Sequence, residues 1–325
     1  MGGGLNLLNY LVDSLIKHNI DCVLLRDERC PQLNHEDLIP SVKVLSPSLS
    51  VRKSFYRDHK NDFKSILCFG NVPPPIKMPV PVFVYYHNVS LLKIPKDYGR
   101  KKKFLSFIKR LYIKNFAANV DEWIVQTSYT ATLLRNKIVR GGKPIRVLPF
   151  YRLPFQVASS VSSQRECYVF IGEYTHAKGH EYLLEAWEIL HSKGIDKTLH
   201  LTVTDPDFCK KIEEAQSRGV RVINHGHISY SEVADLYALS KATVYPSLNE
   251  SLGLGIIEAL EAGCDVLGSD LPYLHSVCKP SETFTPTLPE SIAEAVIRYE
   301  RGSSPRSQIL IKDEIEELIR ILSLT

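Results

Sequence analysis

The stretch YPSLNESLGLGIIEALEAG, Tyr245–Gly263, decides the fold. It reads as the end of a strand, a loop broken by Gly253, and a helix with Gly255 near its start that stops at Gly263. In open parallel sheets, ligands bind beyond the carboxyl ends of strands. The loop 247–253 is therefore a candidate site. Gly253 and Gly255 allow backbone N–H groups to approach a ligand. The helix starting near Leu254 turns its positive end to the same spot, which suits a phosphate or a sugar hydroxyl. Glu250 and Glu258 stand eight positions apart in this segment. In one interpretation Glu250 sits at a helix start and Glu258 on a wet face, both without function. In the other they hold one ligand, because a carboxylate accepts two hydrogen bonds from a vicinal diol. Spacing alone does not choose.

Working outward, short apolar runs alternate with helix-length amphipathic segments. This is the pattern of an α/β chain with parallel sheets. Strands are expected at 21–27, 42–47, 65–71, 81–88, 122–128 and 145–150, then at 167–173, 198–204, 221–227, 242–247 and 264–270. Helices are expected at 5–18, 50–60, 102–119 and 128–137, then at 178–193, 207–218, 230–239, 254–262, 289–301 and 307–323. The polar, Ser-rich, aperiodic segment 153–166 is the expected linker. It separates a domain over 1–152 from one over 167–325, whose last helix is expected to pack back on the first domain. A doubly wound domain opens on a strand leading into a Gly-rich turn, but here Gly2, Gly3 and Gly4 follow Met1 at once. The first strand is expected upstream or lost; the plainer alternative starts the sheet at 21–27.

The 325 residues suffice for two domains of about 150 residues each. A net charge of +4 is too small to argue for nucleic acid. Seven cysteines without a C-x-x-C pair suggest reduced thiols and a cytosolic setting. No run approaches the roughly 18 apolar residues of a membrane span. The N-terminus lacks a signal-peptide pattern, and Asn6 stands where myristoylation needs Ser or Thr.

Four other segments carry candidate chemistry. In GEYTHAKGH (172–180), Lys178 sits at an expected helix start, where a cation is favoured only beside a bound anion. The alternative is a solvated lysine. His176 and His180 have the spacing of a metal pair, but no third ligand is evident and no metal is expected. His87 and Asn88 end a strand; His87 suits hydrogen-bonding or acid–base work, or is simply half-buried. Asp205-Pro206-Asp207 matches a metal-binding D-x-D string, with Asp207 more naturally a helix N-cap. Finally, 99–116 holds Arg100, Lys101, Lys102, Lys103, Lys109, Arg110 and Lys114 with no acid. Phe104, Phe107, Ile108 and Leu111 fall on one helical stripe. Such a helix either lies on an anionic membrane or attracts a diphosphate-bearing ligand, or it packs its stripe inward.

Taken together, these segments resemble a retaining GT-B glycosyltransferase of the family 4, or group 1, type. NESLGLGIIEAL resembles the family's E-x7-E signature. GHISYSEVADLYALSKATVYPS resembles the segment before it and SDLPYLHSV the one after. VYYHNVSLL and DEWIVQTSYTATLL resemble first-domain segments more loosely. The resemblance implies two Rossmann-like, doubly wound domains facing a cleft. It implies that Glu258 binds the donor ribose and that Glu250 binds the transferred sugar beside the amides of Ser251, Leu252, Gly253 and Leu254. Lys178, near the strand glycine Gly172, would neutralise the diphosphate. His87 would lie near the sugar, with Gly3, Gly4 and Asn88 at an acceptor or phosphate loop. Many members carry an arginine where this chain has Glu173, which leaves one cation fewer. Ser251 and Gly255 replace the commoner Gly and Pro.

The function implied is metal-independent sugar transfer from a nucleotide-sugar to a glycan or polyprenyl-diphosphate-linked acceptor in surface-polysaccharide assembly, without a cofactor. The setting is the cytoplasm, with the basic segment at the inner membrane face. A sugar-nucleotide epimerase of the same fold, or an inactive binding subunit, are the alternatives.

Overall fold

The structure, a computed structural model, describes residues 3–95, 98–139, 141–153 and 165–324. Gly2 and most of the expected linker lie outside them. The chain divides into two compact units, Met1–Arg152 with Lys312–Thr325, and Leu153–Ile311.

The first unit runs α1 (Gly3–Lys17), β1 (Val23–Asp27), β2 (Ser41–Leu45), α2 (Leu49–Asp58), β3 (Ile66–Cys68), β4 (Val82–Tyr86), α3 (Val89–Leu92), α4 (Arg100–Asn115), β5 (Glu122–Val125), α5 (Ser128–Lys137) and β6 (Ile145–Val147). Strands β3 to β6 form one parallel sheet in chain order, while β1 and β2 form a separate parallel pair. The run VFVYY of β4 is buried throughout, as a strand covered on both faces requires. On one face, Val84, Tyr86 and Trp123 pack with Ile113 of α4 and Leu134 of α5. On the other, Tyr85 stacks on Phe69 at 5.5 Å and meets Phe150 at 4.8 Å.

Two expectations change here. Gly3 and Gly4 form the first turn of α1 rather than a loop. The helix expected over 102–119 ends at Asn115 and is followed by a separate 3-10 turn at Ala117–Asn119.

The second unit runs β7 (Cys167–Phe170), α6 (His180–Ser192), β8 (Leu199–Leu201), α7 (Pro206–Ser217), β9 (Val222–Asn224), α8 (Tyr230–Leu239), β10 (Ser240–Tyr245), α9 (Leu254–Glu261), β11 (Asp265–Ser269), α10 (Pro272–His275), β12 (Cys278–Lys279), β13 (Glu282–Phe284), α11 (Pro289–Glu300) and β14 (Gln308–Ile309). Its six-stranded sheet has the order β13-β11-β10-β7-β8-β9, every pair parallel. Counted along the chain this is the 3-2-1-4-5-6 order of a doubly wound sheet. Chain direction through the sheet reverses between β7 and β10, where such folds place their ligands.

The helix expected over 307–323 is overturned. Gln308–Ile309 pairs antiparallel with β12, and Ser307 Oγ accepts from the N–H groups of Val266 and Ser281. Those bonds hold the chain extended, so the last helix, α12 (Ile315–Ser323), starts later. It belongs to the first unit, where His18 of the turn after α1 pairs with Glu316 at 2.9 Å. The cap of α7 is also corrected. Asp205, not Asp207, accepts from Phe208 N at 2.9 Å, because Pro206 takes the first helical position. Asp207 instead lies 3.7 Å from Lys210. All seven cysteines are free thiols. No helix among the described residues is long and apolar enough to cross a membrane.

Candidate active site

The loops that leave β7 and β10 meet at the switch point. Lys178 is not at the helix start expected for it. It ends a 3-10 turn (His176–Lys178), and α6 begins at His180 after Gly179. Gly179 has φ +73°, and a Cβ there would lie 2.4 Å from the carbonyl oxygen of Pro246. Only glycine lets the two loops touch. Leu248 N donates to Ala177 O at 2.8 Å across the same contact. Lys178 Nζ is thereby brought 2.7 Å from Glu250 Oε1.

Glu250 has a second partner that its spacing did not announce. The Tyr245 hydroxyl donates to the same Oε1 at 3.2 Å, and Lys178 Nζ stands 5.7 Å above the Tyr245 ring. Ser251 and Leu252 carry the chain from Glu250 to Gly253, whose left-handed φ of +70° turns it into α9. No side chain caps this helix and no acid occupies its first turn. The first N–H groups of α9 form a positive helix end, although Ile256 N already donates to Gly253 O at 2.9 Å.

Glu258 is half-buried one turn further on, while Ile256, Ile257 and Ala259 are buried. Burial pushes its carboxyl up to about 7, and the Lys178 charge and a Tyr237 hydrogen bond only partly oppose this. The fold thus favours the protonated form. That contribution to stability is full below the ordinary carboxylate range and is lost as pH rises through about 7. Glu258→Gln should remove this slope. In urea unfolding, the difference between variant and wild type should move in favour of the variant by on the order of 2–3 kcal/mol between pH 4 and pH 8.

The remaining second-unit candidates separate. Gly172 supplies structure: its N–H donates to Thr202 Oγ1, and its carbonyl accepts from His180 Nε2 at 3.1 Å. His180 is fully buried, and burial pushes it down to about 4. His176 instead pairs with Glu181 at 3.5 Å, so the two histidines have different partners. No cluster of three potential metal ligands occurs among the described residues. Glu173 accepts from the Thr204 backbone and hydroxyl, an exposed contact to the loop after β8.

In the first unit, β4 delivers His87 and Asn88. Asn71 Oδ1 accepts from both backbone N–H groups, at 2.7 and 3.0 Å. Asn71 is buried with φ +65°, a conformation asparagine tolerates better than most residues. The sequence reading missed it; the signal was Asn after Gly at a strand end. The His87 ring lies 4.8 Å from Phe69, and a Cβ on Gly4 would sit 3.3 Å from its Cε1. Burial, with repulsion from Lys109, pushes its imidazole down to about 4, so it is neutral at pH 7.

The α4 stripe is not packed inward. Phe104 is 63 % and Leu105 56 % exposed, and Phe107, Ile108 and Leu111 are exposed as well. Arg100, Lys101, Lys102, Lys103 and Lys109 are exposed beside them, and the Arg110 guanidinium lies 5.6 Å from the Phe107 ring centre. Of this helix, Ile113 holds it to the core.

Comparison with known proteins agrees with this architecture. Residues 155–314 match the family described as Glycosyl transferases group 1. The serotype-specific mannosyltransferase WbdA of Escherichia coli is 28% identical over 150 residues, 43% of this chain and 18% of that protein. The chain therefore aligns with under a fifth of that relative's length. Among solved structures, sucrose-phosphate synthase from Thermosynechococcus elongatus superposes with a TM-score of 0.69 at 18% identity, covering 92% of this chain and 84% of that one. The lipopolysaccharide outer core galactosyltransferase WaaB superposes with a TM-score of 0.67 at 13% identity, covering 99% and 91%. The chain has the GT-B fold, and its second unit is a domain of the glycosyl transferases group 1 family.

Proposed function

We propose that the protein is a retaining glycosyltransferase that moves a sugar from a nucleotide-diphosphate sugar to a glycan or polyprenyl-diphosphate-linked acceptor in surface-polysaccharide assembly. The observation that carries this is the convergence of Lys178 on Glu250 at the switch point, beside the uncapped start of α9. Glu258 accepts the ribose hydroxyls and Glu250 a hydroxyl of the transferred sugar. As the sugar C1–oxygen bond breaks, negative charge grows on the departing diphosphate. Lys178 and the first N–H groups of α9 stabilise that charge. The acceptor hydroxyl attacks from the face the diphosphate leaves, and its proton passes to the departing phosphate oxygen. This scheme needs neither a metal nor a strong protein base. In the first unit, neutral His87, its backbone held by Asn71 and its ring beside Gly4, offers a hydrogen bond to an acceptor hydroxyl.

WbdA is named a mannosyltransferase, so a nucleotide-linked mannose is the first donor to try. Incubation with a panel of nucleotide-sugars, with and without lipid-linked acceptor, tests the proposal. Acceptor-dependent nucleoside diphosphate release is expected. Conversion of the sugar without acceptor would instead make the protein an epimerase, and binding without turnover a non-catalytic subunit.

The exposed basic and apolar surface of α4 supports peripheral contact with an anionic membrane at its cytoplasmic face. A shallow, open depression lined by Ile94, Lys103, Phe104 and Phe107 lies along it. Exposed apolar rings insert at the headgroup boundary while lysines neutralise lipid charge, about 1 kcal/mol per basic residue. Replacing Lys101, Lys102 and Lys103 with Gln should lower the vesicle-bound fraction in sedimentation with anionic liposomes by about tenfold or more. Phe104→Ser with Phe107→Ser should lower it too, without changing its salt dependence. Equal sedimentation of all three proteins would remove the membrane contact.

A further inference from the structure

We infer that Tyr245 is a positioning residue for Glu250, and that it sets which carboxylate oxygen meets the donor sugar. The inference rests on the transferase proposal above and adds a residue to it. Both protein partners of Glu250 converge on Oε1: Lys178 Nζ at 2.7 Å and the Tyr245 hydroxyl at 3.2 Å. Among the described residues no hydrogen bond reaches Oε2. With Oε1 doubly held, the carboxylate plane is fixed and Oε2 is left to accept from a sugar hydroxyl.

Tyr245 is suited to this task. It is 3 % exposed and ends β10, so its ring is fixed by the sheet rather than by the loop. The ring packs edge-on to Phe170 at 5.2 Å. Burial and the neighbouring Glu250 charge raise the phenol well above its ordinary range, so it remains a donor at any working pH. Space for the ring comes from Gly255, where a Cβ would lie 3.2 Å from Tyr245 Cε2. The glycine that stands in place of the commoner proline, and the tyrosine it accommodates, thus form one device. A lysine contact alone would leave Glu250 free to follow the flexible ammonium when Lys178 turns to a diphosphate. The tyrosine contact persists through that exchange.

Tyr245→Phe tests this, because it keeps the ring and removes the hydroxyl alone. The kcat/KM for the nucleotide-sugar should fall about tenfold, the scale of one hydrogen bond to a charged group. Affinity for the nucleoside diphosphate, which has no sugar, should stay within about twofold, and a purely structural role would weaken both together. In a Glu250→Ala background, adding Tyr245→Phe should cost less than about twofold, since the accepting oxygen is already lost. Unchanged kcat/KM in the single variant, a parallel loss of nucleoside diphosphate binding, or a full tenfold cost in the Glu250→Ala background would each overturn the inference. If wild type transfers no sugar from any donor, the transferase proposal has failed instead. Binding of the nucleotide-sugar relative to the nucleoside diphosphate then still reads the Tyr245 contact.

Discussion

Lys178→Ala is expected to lower kcat by about 10²–10³-fold, the scale of removing one group that stabilises developing negative charge. Glu173, on the loop that leaves β7, is engaged by Thr204 and brings no positive charge to this end of the sheet. The positive end of α9 remains in the variant and sustains the residual rate. Stability should change little. The Lys178–Glu250 pair is partly exposed, and pairs of this kind contribute about 1 kcal/mol. Glu250 also keeps its contact with Tyr245. Steady-state kinetics and thermal unfolding of one preparation check both halves. A variant that folds normally and keeps wild-type turnover would remove Lys178 from the chemistry.

The second large effect is expected at a residue with no functional group. Gly179→Ala adds a methyl where the carbonyl oxygen of Pro246 stands 2.4 Å away, on a backbone already at φ +73°. The left-handed conformation alone costs about 1 kcal/mol for alanine. The clash is with backbone at the end of a central strand, so it does not relax by a rotamer change. A total near 3 kcal/mol is expected, within the range of strained glycine sites. If the loops part to relieve it, the Leu248–Ala177 hydrogen bond breaks and Lys178 moves off Glu250. Activity should therefore fall at least about tenfold even in the fraction that stays folded, since small displacements of positioned groups cost that much. Wild-type activity and unfolding temperature in Gly179→Ala would mean that the two loops are not in contact.

These two residues show what was legible in the sequence. Lys178, Glu250 and Glu258 are legible as candidates because they lie in strand–loop–helix segments, and the resemblance to the group 1 signature is what singles them out. Gly179 carried no such mark. Its importance lies in a contact with Pro246, far along the chain, which no local pattern encodes. Tyr245 looked like one more apolar residue of a buried strand, and its hydroxyl matters only through the partner it meets. The strand at Gln308–Ile309 was missed because two residues are too few to show a period. Asp207 reads as the cap rather than a metal ligand, but Pro206 marks the first helical position and so puts Asp205 at the cap. On α4 an apolar stripe and a basic face are legible, but whether anything covers the stripe depends on tertiary packing; the structure leaves it exposed.

The most direct test of the whole proposal is the anomeric configuration of the product. NMR of a reaction containing nucleotide-linked mannose, or whichever donor the panel selects, and a soluble analogue of the lipid-linked acceptor reads it from the one-bond C1–H1 coupling, which separates the anomers even where H1–H2 couplings are small in both. A new glycosidic linkage with the configuration of the donor, formed as nucleoside diphosphate is released in equal amount, is the expected result. An inverted linkage, or a changed sugar that appears without acceptor, would contradict it.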